Sequence, residues 1–366
     1  MSARRTTQSL ALLACALALP ACSDADVAPP GEAGPRALVS VEGDVLAFLS
    51  EIDGERIAGA TVSVLEHPER SVVTGDDAHF RFDDLEEGSE VTLLVEHPDL
   101  VPTQTATVTL GAGGVHPFSI QVVPNGLFTA LSALVPEPVE LEKFCVIATT
   151  VARLGGSLYA HPRQGMPGVA TSIDPPVPAG SGPIYFDEDV LPSLTQPATS
   201  IDGGALFYRV PPGNYTLHGS KAGTVFNSVH LQCRAGWVVN GGPPLGLLAN
   251  IPSPDYAAGR DLADDAHTDA SDAMCQATST CVNDKAGEVR YPPIMVDSCR
   301  AMFRNMWASL DAACEASSGV ADAAAAMYSC RAARCGNTLG DDTVCVAEDA
   351  AFRDAEAAYG ACLSGG

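Results

Sequence analysis

The sequence predicts a chain that is mainly β with a smaller α part: two antiparallel β-sandwich modules followed by a small, disulfide-stapled α-helical domain. Three observations predict it. Residues 37–123 alternate apolar and polar side chains in short runs, the period of half-buried strands. Five residues of that stretch recur with the same spacing 125 positions later. From Asp255 onward alanine becomes abundant, and eight cysteines crowd the last 92 residues.

The N-terminal residues read as an address. Arg4 and Arg5 precede an apolar run, Leu10 to Leu19. About ten residues cannot span a bilayer, which takes ~20. Residues 1–21 therefore read as an export signal. The run ends in Leu19-Pro20-Ala21-Cys22, which resembles the lipobox of bacterial lipoproteins. The resemblance implies that Cys22 carries a lipid, becomes the mature N-terminus and partners the membrane. It places the protein outside the cytoplasm, at the outer membrane or cell surface. Residues 22–36, rich in Pro, Ala and Gly, then form a flexible tether.

Strands follow in 37–123: Leu38-Val39-Ser40-Val41, Ala60-Thr61-Val62-Ser63-Val64, Phe80-Arg81-Phe82, Val91 to Val95 and Ala106 to Leu110. Gly, Pro, Asp and Glu punctuate them. Thr74, Asp77, Phe82, Leu85 and Gly88 match Thr199, Asp202, Phe207, Val210 and Gly213 at one offset. The shared pattern is a hairpin: Thr ends a strand, Asp turns the chain, and Phe enters the core. A second sandwich is thus expected at 143–250, after a linker at 124–142, with an insertion at about 174–197.

These residues resemble the carboxypeptidase regulatory-like family. Gly43 and Val45, then Gly59-Ala60-Thr61-Val62-Ser63-Val64, then Thr74 to Gly88 match its pattern. In the second copy Gly168 and Val169 to Ile173 stand for the Gly-Ala strand. The resemblance covers about 200 of the 366 residues and implies a transthyretin-like β-sandwich. His79 stands where the family has a turn Gly, so His79 is expected at positive φ, whereas the second copy keeps Gly204.

Cysteine counting supports export. Of 12 Cys, Cys15 leaves with the signal and Cys22 is the lipid candidate. The remaining ten form an even set, Cys145, Cys233, Cys275, Cys281, Cys299, Cys314, Cys330, Cys335, Cys345 and Cys362, expected as disulfides. Cys145 and Cys233 flank the second sandwich and are expected to pair. Cys335 is expected to pair with Cys345 across the 336–342 turn. After a linker at 251–270, the unit 271–366 shows helical spacing. Cys299, Met302, Met306, Leu310 and Ala313 form one stripe, Val320, Ala323, Met327 and Cys330 a second, and Cys345, Phe352, Ala355, Tyr359 and Cys362 a third. With 27 Ala in 255–366 the core is thin, and disulfides compensate.

Catalytic, cofactor and metal signatures are not found. His67-Pro68-Glu69-Arg70 and His97-Pro98-Asp99-Leu100 lack the Glu placement of a zinc peptidase, and no C-x2-C knuckle, P-loop, H-E-x-x-H or G-x-S-x-G occurs. A net charge of -25 repels phosphate backbones, so nucleic acid is excluded as a partner. Residues 37–123 carry a net -13 and 255–366 a net -10, the middle module being nearly neutral by comparison. Asp76-Asp77 and Asp83-Asp84, with no D-x-D-x-D-G loop, read as solvated surface rather than calcium ligands. The best candidate partner contact is Tyr185-Phe186, in the Pro-rich insertion beside Asp187, Glu188 and Asp189; the competing reading is that the pair folds back to cover a sandwich end. The function expected is a non-catalytic surface lipoprotein acting in structure, adhesion or binding of a protein partner, with a glycan ligand as the alternative.

Overall fold

A computed structural model describes residues 36–48, 55–111, 113–154, 165–242, 245–250, 266–286, 293–308, 310–334 and 344–365. The signal, Cys22, the tether up to Pro35, and Cys335 lie outside the described residues. Arg36–Gly366 form one compact unit, β-rich, with one disulfide, Cys145–Cys233, in its middle and most of the described helices and disulfides toward its C-terminus.

The first repeat consists of β1 (Leu38–Ala47), β2 (Thr61–Val64), β3 (His67–Val73), β4 (His79–Glu86), β5 (Glu90–Val91), β6 (Leu93–Glu96), β7 (Thr103–Thr105), β8 (Val108–Thr109) and β9 (Val115–Val122). In β1, Val41 and Val45 enter the core with Val62, Phe80, Phe82 and Ile120, as strand alternation requires. One layer is β4-β1-β9, with β1 antiparallel to β4 and parallel to β9.

After α1 (Asn125–Ser132) the pattern returns as β10 (Cys145–Thr150), β11 (Ala170–Asp174), β12 (Ile184–Phe186), β13 (Pro192–Ser193), β14 (Gly204–Val210), β15 (Gly213–Ser220), β16 (Val229–Cys233) and β17 (Val238–Gly241). β10 is antiparallel to β14 and parallel to β17, as β1 is to β4 and β9. The pairing register slips at Val39/Val41 in one repeat and at Cys145/Ile147 in the other. Asp84 and Arg209, 125 positions apart, both adopt positive φ, at 58° and 54°, as bulges demand.

The hairpin threonines explain the repeat. Thr74 Oγ1 accepts from Ala60 N at 3.0 Å and donates to Ile57 O at 2.7 Å. Thr199 Oγ1 accepts from Val169 N at 2.9 Å and donates to Met166 O at 2.6 Å. Each hydroxyl thus satisfies two backbone groups where one strand pair ends. The turn beyond is closed by Asp77 on His79 N and by Asp202 on Gly204 N. The residue at positive φ is Ala78, paralleled by Gly203, at 59° and 80°. His79 is not, contrary to expectation, because it is already the first residue of β4.

Two further expectations change. The sheets are mixed rather than antiparallel, since β9 and β17 each return parallel to the first strand of their repeat. Nor are the repeats separate: β7 pairs in parallel with β17, Val238 beside Thr103, Val239 beside Gln104 and Asn240 beside Thr105. This makes one nine-stranded sheet in the order β13-β12-β14-β10-β17-β7-β6-β2-β3. Joining two edges satisfies rows of backbone donors and acceptors that separate sandwiches would leave open.

Side chains also bond individual backbone groups on other edge strands. Arg70 on β3 donates to the carbonyls of Asp83 and Asp84 on β4. Asn240 on β17 donates to Gln121 O on β9 at 2.6 Å, and Gln104 on β7 donates to Gln232 O on β16. Thr171 N on β11 donates to Tyr185 Oη at 3.0 Å.

The C-terminal part contains α2 (Ala266–Ala286), α3 (Pro293–Ala308), α4 (Ala312–Ser318), α5 (Val320–Ala332) and α6 (Val346–Leu363). Helix α2 starts inside the expected linker 251–270, of which residues 251–265 are not described. The stripe from Cys299 to Ala313 is broken between α3 and α4. Asp311 caps α4 by accepting from Ala313 N and Cys314 N. Buried Tyr328 lies edge-on to Phe303, centroids 4.8 Å apart, and beside Trp307.

Disulfides join Cys275 to Cys299, Cys314 to Cys362 and Cys330 to Cys345, and Cys281 is disulfide-bonded too. The expected Cys335–Cys345 pairing is corrected: the end of α5 brings Cys330 within 5.9 Å (Cα–Cα) of Cys345 at the start of α6.

Helix α6 clamps this part to the second repeat. Arg153 donates to Glu356 Oε2 at 2.9 Å, and Leu154 N donates to Glu356 Oε1 at 3.1 Å. Glu356 is 4% exposed. Leu154 and Leu46 extend the helical core.

Candidate functional site

The sequence-predicted contact residues are not at the surface. Tyr185 and Phe186 are 5% and 6% exposed. As neighbours on β12 they point to opposite faces of the sheet. Tyr185 reaches Thr171 in the other layer. Phe186 lies against Phe48, centroids 6.4 Å apart. It also lies where a Cβ at Gly204 would fall, 2.1 Å from the ring, which is why glycine begins β14. An exposed aromatic platform at 185–186 is therefore corrected to a buried pair. Trp237 offers none either, because the Arg234 guanidinium sits 4.6 Å above its ring.

What Phe186 lines instead is an apolar cavity of ≈ 80 Å³. Its floor is the outward face of the nine-stranded sheet: Val146 and Ala148 on β10, Leu206 and Tyr208 on β14, Val238 on β17. Its roof is Phe128 and Leu131 on α1 with Val135 and Val139 after it, and Phe48, Phe186 and Pro192 close the sides. Residues from both repeats and from the expected linker 124–142 thus meet at one place.

Helix α1 is held at both ends. Asn125 N donates to Asp99 O at 3.0 Å, and Asn125 Nδ2 to Pro98 O at 3.1 Å. Beyond the helix Arg209 pairs with Glu137 and Glu140, and Gly236 N donates to Leu141 O at 2.6 Å. Between these anchors α1 has no fully buried residue. Its Leu127, Phe128 and Leu131 stay half-exposed, although their spacing builds an apolar stripe toward the sheet.

Two of the polar lining side chains have hydrogen-bond partners within the sheet. Asn240 donates to Gln121 O and accepts from Gly242 N, and Thr149 donates to Gly241 O. Burial raises the Tyr208 phenol pKa, so it stays neutral. The cavity thus meets an occupant mainly with hydrocarbon and aromatic faces.

The sequence missed this site because 124–142 was read as a linker. A signal was present: Leu127, Phe128, Leu131, Leu134 and Val135 recur at spacings of 3 and 4.

The other candidates resolve locally. Asp77 closes its turn, and Asp83 binds Arg81 Nε at 2.9 Å. His79 Nδ1 lies 3.0 Å from the buried Asp44 Oδ1, and that hydrogen bond, outweighing burial, raises the His79 pKa. Among the described residues, one group of Cys, His, Asp and Glu has metal-ligand proximity: Cys330, Cys345 and Glu348. Its two sulfurs are bonded to each other. Among the described residues, no helix is long and apolar enough to cross a membrane.

No family model and no curated protein matches the chain. Solved structures give faint likenesses. One is a Bacteroides fragilis protein described as membrane-associated and of unknown function, at 16% identity and TM-score 0.20, over 25% of this chain and 29% of that one. Another is the minor pilin of Streptococcus agalactiae, at 10% identity and TM-score 0.19, over 57% of this chain and 95% of that one. A streptococcal ancillary pilin aligns at 10% identity and TM-score 0.17, over 58% and 62%. Likenesses of this size assign no activity.

Proposed function

We propose that the chain is an exported, lipid-anchored surface protein that works without catalysis, as a structural, adhesive or partner-binding module. The observation that carries this reading is the joint at β7 and β17. It joins two repeats into a single body through one shared sheet, as an element that transmits force or displays a partner site requires. The disulfides support export, because such cross-links persist in oxidising compartments. On this reading the repeats are of the carboxypeptidase regulatory-like type, supported by their matching threonine clips and bulges. Cys22 carries the lipid, and the tether of residues 22–36 lets the body stand up to ~50 Å from the membrane. The net charge of -25 keeps it off an anionic lipid surface.

Palmitate labelling of the producing cells, combined with protease treatment of intact cells, tests the reading. Label should disappear in Cys22→Ser, and protease should release a fragment beginning near residue 36. Label that survives Cys22→Ser, or a body that protease reaches only after lysis, overturns it.

A further inference from the structure

We infer that Arg234 and Trp237 form a docking point for a carboxylate side chain of a protein partner. The inference starts from two stacked pairs at one end of the second repeat. The Arg209 guanidinium lies 5.4 Å over the Phe144 ring, and that of Arg234 lies 4.6 Å over the Trp237 ring. One covalent frame carries both. Phe144 precedes Cys145, Arg234 follows Cys233, and these two cysteines are bonded to each other. Cys145 also pairs in register with Val210, the neighbour of Arg209.

The two cations differ in what takes up their charge. Arg209 pairs with Glu137 and Glu140. Among the described residues Arg234 has no ion-pair partner, and its Nη1 is buried without a hydrogen-bond partner. Gly236 N donates to Leu141 O, which sets the 141–144 segment against the Arg234 turn. On that segment Glu142 is exposed, and its charge bears on Lys143 instead. The chain has 45 acidic against 20 basic residues, so Arg234 is not left alone for want of carboxylates.

Partial burial gives the site its affinity. A cation withdrawn from water is stabilised only where an anion or an acceptor replaces the lost hydration. The indole face supplies part of this. Of the three guanidinium nitrogens only Nη1 is both buried and unbonded, so Nε and Nη2 keep contact with solvent. Their parallel N–H groups match the two oxygens of a carboxylate. The stack and the disulfide hold this fork in place beforehand, so little side-chain freedom is lost on binding. Half-buried Trp237 leaves surface for the aliphatic stem of an incoming Glu or Asp. Trp and Arg are also the residues on which interface binding energy concentrates.

The net charge of -25 selects the partner. The body as a whole repels phosphate and phosphate-bearing surfaces. A protein that is basic overall and presents one acidic side chain here fits both the body and the docking point. This deepens the partner-binding reading by naming the chemistry of the partner.

The test titrates the purified, intact chain, carrying isotope-labelled tryptophan, with N-acetyl-glutamate amide at fixed pH and low salt. N-acetyl-glutamine amide and inorganic phosphate are the parallel arms. The indole N–H of Trp237 is the reporter. The other tryptophan, Trp307, is 2% exposed and bonded to Ser271, so its signal reports the fold. A saturable, millimolar shift of the Trp237 signal is expected with the glutamate probe, and about tenfold weaker binding of the glutamine probe. Arg234→Gln should abolish the shift while leaving the Trp307 signal in place. Should that variant fail to fold, Arg234→Lys, which keeps the charge but not the fork, should weaken binding several-fold. Absence of a saturable shift, equal binding of the glutamine probe or of phosphate, or unchanged binding in the folded variants overturns the inference. The surface-module reading stands or falls separately, on Cys22 labelling.

Discussion

The two β repeats share their turn chemistry but not their means of stabilisation. Both carry the threonine clip, the Asp-closed turn and the positive-φ bulge at matching positions. Only the second has a disulfide, Cys145–Cys233, spanning 88 positions; it ties the helical part through the Arg153–Glu356 ion pair, whereas the first repeat meets that part through packing of Leu46. By register Arg153 corresponds to Ala47 in the first repeat. Backbone geometry is thus the shared feature, and cross-linking is distributed by what each copy must hold. The first repeat leans on the second through the common sheet.

The comparison can be broken most strongly at the disulfide. Replacing Cys145 and Cys233 together by Ala should cost about 4–5 kcal/mol in the chain-entropy account. Hydrogen exchange should show the loss concentrated in 143–250. Equal loss of protection in both repeats would mean that the common sheet makes them one cooperative unit.

Next come the threonines. Thr74→Val and Thr199→Val each strip two backbone groups of a partner, and each should cost roughly 1–3 kcal/mol by urea denaturation. The two values should agree if the clips are equivalent. A loss in one repeat only would show that the matching geometry hides different energetics.

A smaller effect separates Ala78 from Gly203. Ala78→Gly relieves an alanine at φ 59°, and the gain should stay under about 1 kcal/mol, because glycine also loses chain entropy. Gly203→Ala should destabilise by more than that, since its Cβ would lie 2.4 Å from Val151 O.

The smallest effect is a pH dependence confined to the first repeat. Hydrogen bonding to Asp44 raises the His79 pKa, and Coulomb attraction to Asp44, Glu42 and Asp77 adds to it. The protonated ring therefore favours the folded state. Its contribution is complete below the ordinary value of about 6.5 and fades as pH rises through the higher folded value. His79→Gln should flatten the fall in melting temperature over that range. An unchanged slope would exclude His79 as its source.

Much of the β part was legible because strand alternation and turn residues act locally. The 125-residue offset located both hairpins, down to the hydroxyls of Thr74 and Thr199. The joint was not legible: Thr103 to Thr105 and Val238 to Asn240 pair across more than 130 positions, and nothing in either short segment names its partner. For Tyr185 and Phe186 the residues alone left a surface contact and a folded-back pair both open, and position on a strand between two layers decided burial. In the helical part, the stripes located α3, α5 and α6 but passed over Phe303, Trp307 and Tyr328. Large aromatics there enter the core from the flank of a stripe that alanine alone would leave thin.

The side chains laid across the sheet edges bear on life at high density. A protein packed densely meets copies of itself far more often than one diluted in solution. Each sheet margin is a place where a neighbour's strand could be stitched on, the first step toward a fibril. Here Arg70, Gln104, Asn240 and Tyr185 take up backbone groups of the edge strands β4, β16, β9 and β11. The outermost strands of the large sheet are β3, whose first half carries Pro68, Glu69 and Arg70, and the two-residue β13 with Pro192. Each such bond and each proline removes one backbone group from those a neighbouring molecule's strand could take.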